Sequence, residues 1–189
     1  MRANTNFIVS TALVLAFCTN WVASGETKDD SHQNRHSEVL TLEVHPPEEY
    51  LHGAHLKLVF TLRNVSGKEV LVAQTFQLGR YIDLDITDSH GKAAQWCGRI
   101  VAQADSVQSF TMLPPGRSLR KTVLVSCFNA DDPSRAAGYR IDGPGQYTIK
   151  ATYHLPQPTM FFEKFFPTAT VVRGPISAKP IIIQVKADK

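Results

Sequence analysis

Long apolar runs are absent from this chain: the most apolar stretch, FIVSTALVLAFC from Phe7 to Cys18, is too short to span a bilayer comfortably. Cysteine is scarce, with three in 189 residues, so a densely bridged mini-protein scaffold is excluded. No His-Glu-x-x-His pattern is present to hold a catalytic zinc, and no Gly-x-Ser-x-Gly elbow to expose a serine nucleophile. Lys and Arg number 20 against 17 Asp and Glu, and they form no consecutive cluster, which argues against a nucleic-acid partner. Sustained helical periodicity and internal repeats are missing too, which removes helical bundles and solenoids.

The beginning of the chain reads as a targeting segment. Arg2 supplies a positive start, Phe7 to Cys18 the apolar region, and Val22 and Ser24 the small-residue site at which cleavage is expected. Residues 1–24 are therefore read as a signal peptide, 25–37 (GETKDDSHQNRHS) as a flexible polar leader in which His32 and His36 are solvated, and 38–189 as one domain. This predicts a secreted or periplasmic protein. The alternative is a lipid anchor on Cys18, since LAFC resembles a lipobox with Phe17 in place of its small residue. Removing Arg2 from the 20 basic side chains leaves 19 against 17 acidic ones, formally +2. Cys97 and Cys127 are the cysteines left after cleavage, and in an oxidising compartment they are expected to pair. Closing a loop of about 30 residues stabilises by roughly 4 kcal/mol in the chain-entropy model.

Period-two alternation then recurs along the chain. Leu40, Leu42 and Val44 share a face before Pro46-Pro47; Leu56, Leu58, Phe60 and Leu62 do so before Asn64, Ser66 and Gly67; Ile82, Leu84 and Ile86 do so opposite Asp83 and Asp85. One or two strands are expected between Gln95 and Leu113, ending in the LPPG turn. Later rows are Leu119, Lys121, Val123 and Val125, with Lys121 placing that strand near an edge; then Tyr147, Ile149, Ala151 and Tyr153; then Ile181, Ile183 and Val185. Residues 129–142 read as a long polar connection with a helical turn at Ser134 to Ala137. The fold class this predicts is all-β, an antiparallel two-sheet sandwich with a short helical insertion.

The segments LEVHPPEEYLHGAHLKLVFTLRNVSGKEVLV, IDLDITDSHGK, FTMLPPGRSLRKTVLVS and GYRIDGPGQYTIKATY, in that order, resemble the immunoglobulin-like module that precedes the catalytic domain of deuterolysin-type secreted zinc metallopeptidases, and related bacterial modules. The resemblance spans most of residues 39–153 and implies an immunoglobulin-like sandwich. It does not imply a peptidase, because the zinc helix is absent. Tyr147, with Asp142 and Gly143 upstream, resembles a tyrosine corner, and is assigned to the core.

Chemical candidates are few. Cys97 with His90 suggests a thiol nucleophile, but a disulfide removes the thiolate. His52 and His55 have metal-compatible spacing without further ligands, so a surface loop is preferred. Asp83, Asp85 and Asp88 are a calcium candidate, weighed against outward aspartates before a hairpin turn. As a glycosidase pair, Asp83 and Asp85 have neither unequal environments nor a groove. Asn64-Val65-Ser66 meets the minimal glycosylation rule, but a polar hairpin turn is the preferred reading of Asn64. No cofactor is expected.

The tract MFFEKFF between Pro158 and Pro167 is the remaining feature. A short helical turn, capped by Thr159, groups Phe161 with Phe165 and Phe162 with Phe166 and leaves Glu163 and Lys164 outward. The tract is expected to close one end of the sandwich; otherwise Met160, Phe161, Phe162, Phe165 and Phe166 form an interaction patch. The function expected is a non-catalytic accessory or protein-binding module. The alternatives are a peptidase inhibitor using loop 129–142 or 154–167, and a structural subunit of an envelope assembly. The expected partner is a protein, with membrane contact limited to the Phe tract or a lipidated Cys18.

Overall fold

Alternation along the chain becomes strand pairing in the computed structural model, which describes residues 39–97, 105–127, 138–155, 160–172 and 174–188. The signal segment with Cys18, the polar leader with His32 and His36, the turn at Ser134 to Ala137 and the Thr159 cap lie outside the described residues.

The first sheet has the order β1-β3-β8, with β1 (Leu40–His45), β3 (Lys57–Asn64) and β8 (Ser118–Leu124) antiparallel throughout. Each strand shows the expected two-residue burial rhythm, and Pro46, unable to donate a backbone hydrogen bond, follows the end of β1. The second sheet is built on β10 (Gly145–Tyr153). One side of β10 pairs with β5 (Ile82–Asp88), the other with β13 (Ile181–Lys186) and β12 (Ile176–Ser177), and β2 (Tyr50–Leu51) extends β13. Inward rows of both sheets, among them Leu42, Phe60, Leu62, Ile86, Ile149 and Ile183, belong to one buried apolar cluster. Burial of each such side chain is worth roughly 1.5–3 kcal/mol, and this shared core holds the sheets together.

Two smaller sheets complete the chain. β4 (Val70–Ala73) lies between β7 (Phe110–Leu113) and β11 (Thr170–Val171), and β6 (Gln95–Cys97) pairs with β9 (Gly138–Arg140). A 3-10 turn, Val107–Ser109, leads into β7.

The all-β expectation holds, but its arrangement is corrected. The described strands form four sheets, and the β4–β11 and β2–β13 ladders are parallel. These two-residue ladders are local dockings of a passing segment onto a free edge, too short to leave an alternation signal in the sequence. The polar connection 129–142 is corrected as well, since its Gly138–Arg140 part is β9.

Candidate interaction surface

The Phe tract forms the helix α1 (Met160–Phe165), with Pro167 just beyond it. Phe162 is 3% exposed and stands edge-on to Phe110, with centroids 4.6 Å apart at 86°. Phe110 in turn meets Tyr81 edge-on at 6.1 Å. The Tyr81 hydroxyl donates to Asp105 Oδ1 at 2.5 Å, and Arg80 Nη2 donates to the same oxygen. Burial, and then the Asp105 carboxylate, push the Tyr81 phenol up to about 12. Phe162, Phe110 and Tyr81 thus form a column of three rings anchored on an ion pair. Phe166 is half-buried against the core, whereas Phe165 is 48% exposed with Lys164 Nζ 5.5 Å from its ring centroid. The five-residue patch is corrected to this extent: Phe162 and Phe166 face the core. The side chains of Met160 and Phe161 lie outside the description.

Cys97 and Cys127 form a disulfide, Cα to Cα 6.4 Å, which ties the end of β6 to the segment after β8 and leaves neither sulfur as a thiol nucleophile. The three aspartates are not brought together. Asp83 faces His154 Nδ1 at 3.3 Å and Asp85 faces Lys150 Nζ at 3.8 Å. Asp88 Oδ1 accepts the backbone N–H groups of His90 and Lys92, both at 2.8 Å, which holds its carboxyl below the usual range and fixes the turn around Gly91, where φ is 80°. Among the described residues no three His, Cys, Asp or Glu are placed to share a metal ion. His55 is exposed, and His52 is half-buried with its backbone N–H donating to Lys186 O at 2.7 Å.

Asn64 departs most from its expected setting. The sequence reads it as a polar turn residue, with glycosylation as the lesser possibility, yet Asn64 is fully buried. Its Nδ2 donates to Lys68 O at 2.7 Å and Leu113 O at 2.8 Å, while its Oδ1 accepts from Ser66 N and Oγ. In the folded chain the nitrogen that would carry a glycan is committed to two carbonyls, so Asn64 is a bracket between two turns.

Two strand edges of the first sheet are open among the described residues, that of β1, which the sequence does not signal, and that of β8, which Lys121 does. β1 borders a groove of about 760 Å³ whose other wall is Pro175, Ile176, Ser177, Lys179 and Ile181. β8 ends its sheet on the opposite side, and no described strand pairs with its outer edge. Backbone bonds from Val125 N to Leu56 O and from Asn64 N to Arg117 O bracket the β3–β8 ladder. Antiparallel alternation then turns the backbone groups of Leu119, Lys121 and Val123 toward β3 and those of Ser118, Arg120, Thr122 and Leu124 outward. The inner row is incompletely covered: Leu58, Phe60 and Leu62 of β3 are 0% exposed, while Leu119, Lys121 and Val123 are each half-buried. Lys121 was the one legible sign of this edge.

The chain matches no protein-family model, and no curated protein matches it.

Proposed function

We propose that the protein is an exported, non-catalytic accessory module of immunoglobulin-like sandwich type that binds another protein. The fold reading is supported by the two main sheets, β1-β3-β8 and β5-β10-β13, and by the Tyr147 hydroxyl, which donates to Gly143 O four residues upstream at 3.0 Å in the manner of a tyrosine corner. Export, to the periplasm or beyond, is supported by the targeting pattern of residues 1–24 and by the Cys97–Cys127 bond. The resemblance to the non-catalytic module of deuterolysin-type metallopeptidases points the same way.

The observation that carries the binding role is the outer edge of β8. Seven residues run without a bulge or proline, four of them turn their backbone groups to solvent, and the inner apolar row waits for a cover. Exposed regular edges of this kind template pairing with another chain, and proteins that keep them open use them for strand addition. The test is cross-linking and affinity capture in the native compartment with wild type and Thr122→Pro. Proline at Thr122 removes an outward donor while sparing the β3 ladder. A reproducible neighbour lost from the variant, with the circular dichroism spectrum retained, is the expected result; a wild-type chain that captures nothing rules the reading out.

Phe165 favours a second reading, a structural subunit of an envelope assembly, because its exposed ring is held on a helix pinned by Phe162. Phe165→Asp then removes the neighbour and Thr122→Pro does not.

A further inference from the structure

We infer that the β8 edge takes an extended acidic segment of its partner as an added strand, with a carboxylate opposite Lys121; this rests on the protein-binding reading above and names the partner's chemistry.

Lys121 sets this chemistry. It lies on the inward-facing row of β8, between Leu119 and Val123 and opposite the fully buried Phe60 in the ladder. A charged side chain on the inner row of an edge strand penalises any strand that would add an apolar or basic residue beside it. Pairing with a second copy in the fully overlapped antiparallel register sets Lys121 against itself, a like-charge pair. The edge is therefore open to strands in general chemistry but closed to its own copy in that register.

The same edge carries uncompensated positive charge. Arg120 stands opposite Thr61 and Ser118 opposite Arg63, so Arg63 and Arg120 are diagonal neighbours on the outer face; exposed Arg117 immediately precedes the strand. None of Arg63, Arg117, Arg120 and Lys121 meets a carboxylate among the described residues. Glu43 is the one carboxylate on the outer face of these three strands; it is diagonal to Arg63, two strands away from Arg120, and paired with His45 at 3.6 Å. Arg63 and Arg120 thus share the outer face beside this edge, and Lys121 carries a further positive charge on its inner face. Guanidinium groups in such a cluster are built to take carboxylates through paired hydrogen bonds.

Strand addition converts this into a register. A seven-residue strand spans roughly 23 Å, enough for one peptide strand of ordinary length. Running antiparallel, the peptide places one apolar side chain opposite Val123 and another opposite Leu119, covering the half-open inner row. Between them stand a carboxylate opposite Lys121 on the inner face and a second opposite Arg120 on the outer face. The pattern is apolar, any residue, acidic, acidic, apolar. Main-chain bonds supply affinity and the two acids supply selection.

The test uses the intact protein and two capped peptides, Thr-Val-Thr-Glu-Glu-Val-Thr and its Gln-Gln counterpart, with binding followed by fluorescence anisotropy and backbone amide shifts. The acidic peptide is expected to bind about tenfold more tightly at low salt, to lose that advantage at high salt, and to shift the amides of Ser118 to Leu124. Lys121→Glu, checked for an unchanged fold, should abolish the preference, and Thr122→Pro should abolish binding of both peptides. Equal binding of the two peptides, undiminished acidic binding to Thr122→Pro, no binding of either, or a wild-type chain that dimerises through β8 overturns the proposal. Native-compartment capture separates the levels: a captured partner without acidic-strand preference leaves the binding role and removes this chemistry, and an empty capture removes the binding role as well.

Discussion

Phe162 on α1 stands perpendicular to Phe110 on β7, 4.6 Å between centroids, and through Phe110 reaches Tyr81 and the Arg80–Asp105 pair. A tract of four phenylalanines is thereby divided, with one ring sealed into the core and another, Phe165, left at the surface.

Phe162→Ala should therefore cost about 3–5 kcal/mol, from lost burial and the cavity left against Phe110. Phe165→Ala should change stability by no more than about 0.5 kcal/mol. Urea unfolding of both variants checks this, and similar losses for the two would show that the tract is not divided.

Asn64→Ala should cost about 2 kcal/mol or more. It removes the Nδ2 bonds to Leu113 O at 2.8 Å and Lys68 O at 2.7 Å and leaves Ser66 N without its Oδ1 acceptor. Thermal unfolding measures the loss, and a neutral outcome would mean that the buried bracket is dispensable.

Removal of the disulfide by Cys97→Ala with Cys127→Ala should lower stability by about 3–4 kcal/mol, the chain-entropy value for cysteines separated by 30 residues. Denaturant midpoints of the oxidised wild type and the double variant give the number. Identical midpoints would mean that the surrounding packing alone fixes this corner.

Gly138 sits opposite Cys97 in the β6–β9 ladder, and a Cβ there would lie 2.5 Å from Val125 O and 3.0 Å from Cys127 N. Both atoms belong to backbone, so relief requires moving a strand. Gly138→Ala should destabilise by about 1–3 kcal/mol, read as a lower unfolding midpoint. A wild-type midpoint would show that β9 can retreat freely.

Burial and Asp105 raise Tyr81 to about 12, and burial raises Tyr153, Tyr139 and Tyr50 as well. A phenol whose folded pKa exceeds its unfolded value contributes fully below that unfolded value, about 10, and the contribution disappears as pH rises through the folded pKa. Stability should thus hold up to about pH 10 as far as these groups are concerned and fall toward about pH 12, less steeply in Tyr81→Phe. Ultraviolet difference titration of the folded chain tests it; ionisation of Tyr81 near pH 10 while the chain remains folded would contradict the geometry.

The sequence alone determined the facing of nearly every principal strand. Leu40, Leu42 and Val44 point inward, as do Ile82, Leu84 and Ile86, because a two-residue period is a property of local backbone geometry and needs no partner to be read. It likewise located the Cys97–Cys127 pair, the helical turn in the Phe tract and the edge character of β8 through Lys121.

Tertiary structure decided whatever depends on residues distant in the chain. Strand pairing is non-local, so two-residue ladders such as β4–β11 have no sequence signature. Asn64 reads as a solvated turn residue until Leu113, 49 positions away, closes over it. The division between Phe162 and Phe165 follows from where Phe110 stands. The basic edge is the clearest case: Arg63 is far from Arg120 in sequence, and only the antiparallel register of β3 with β8 makes them diagonal neighbours.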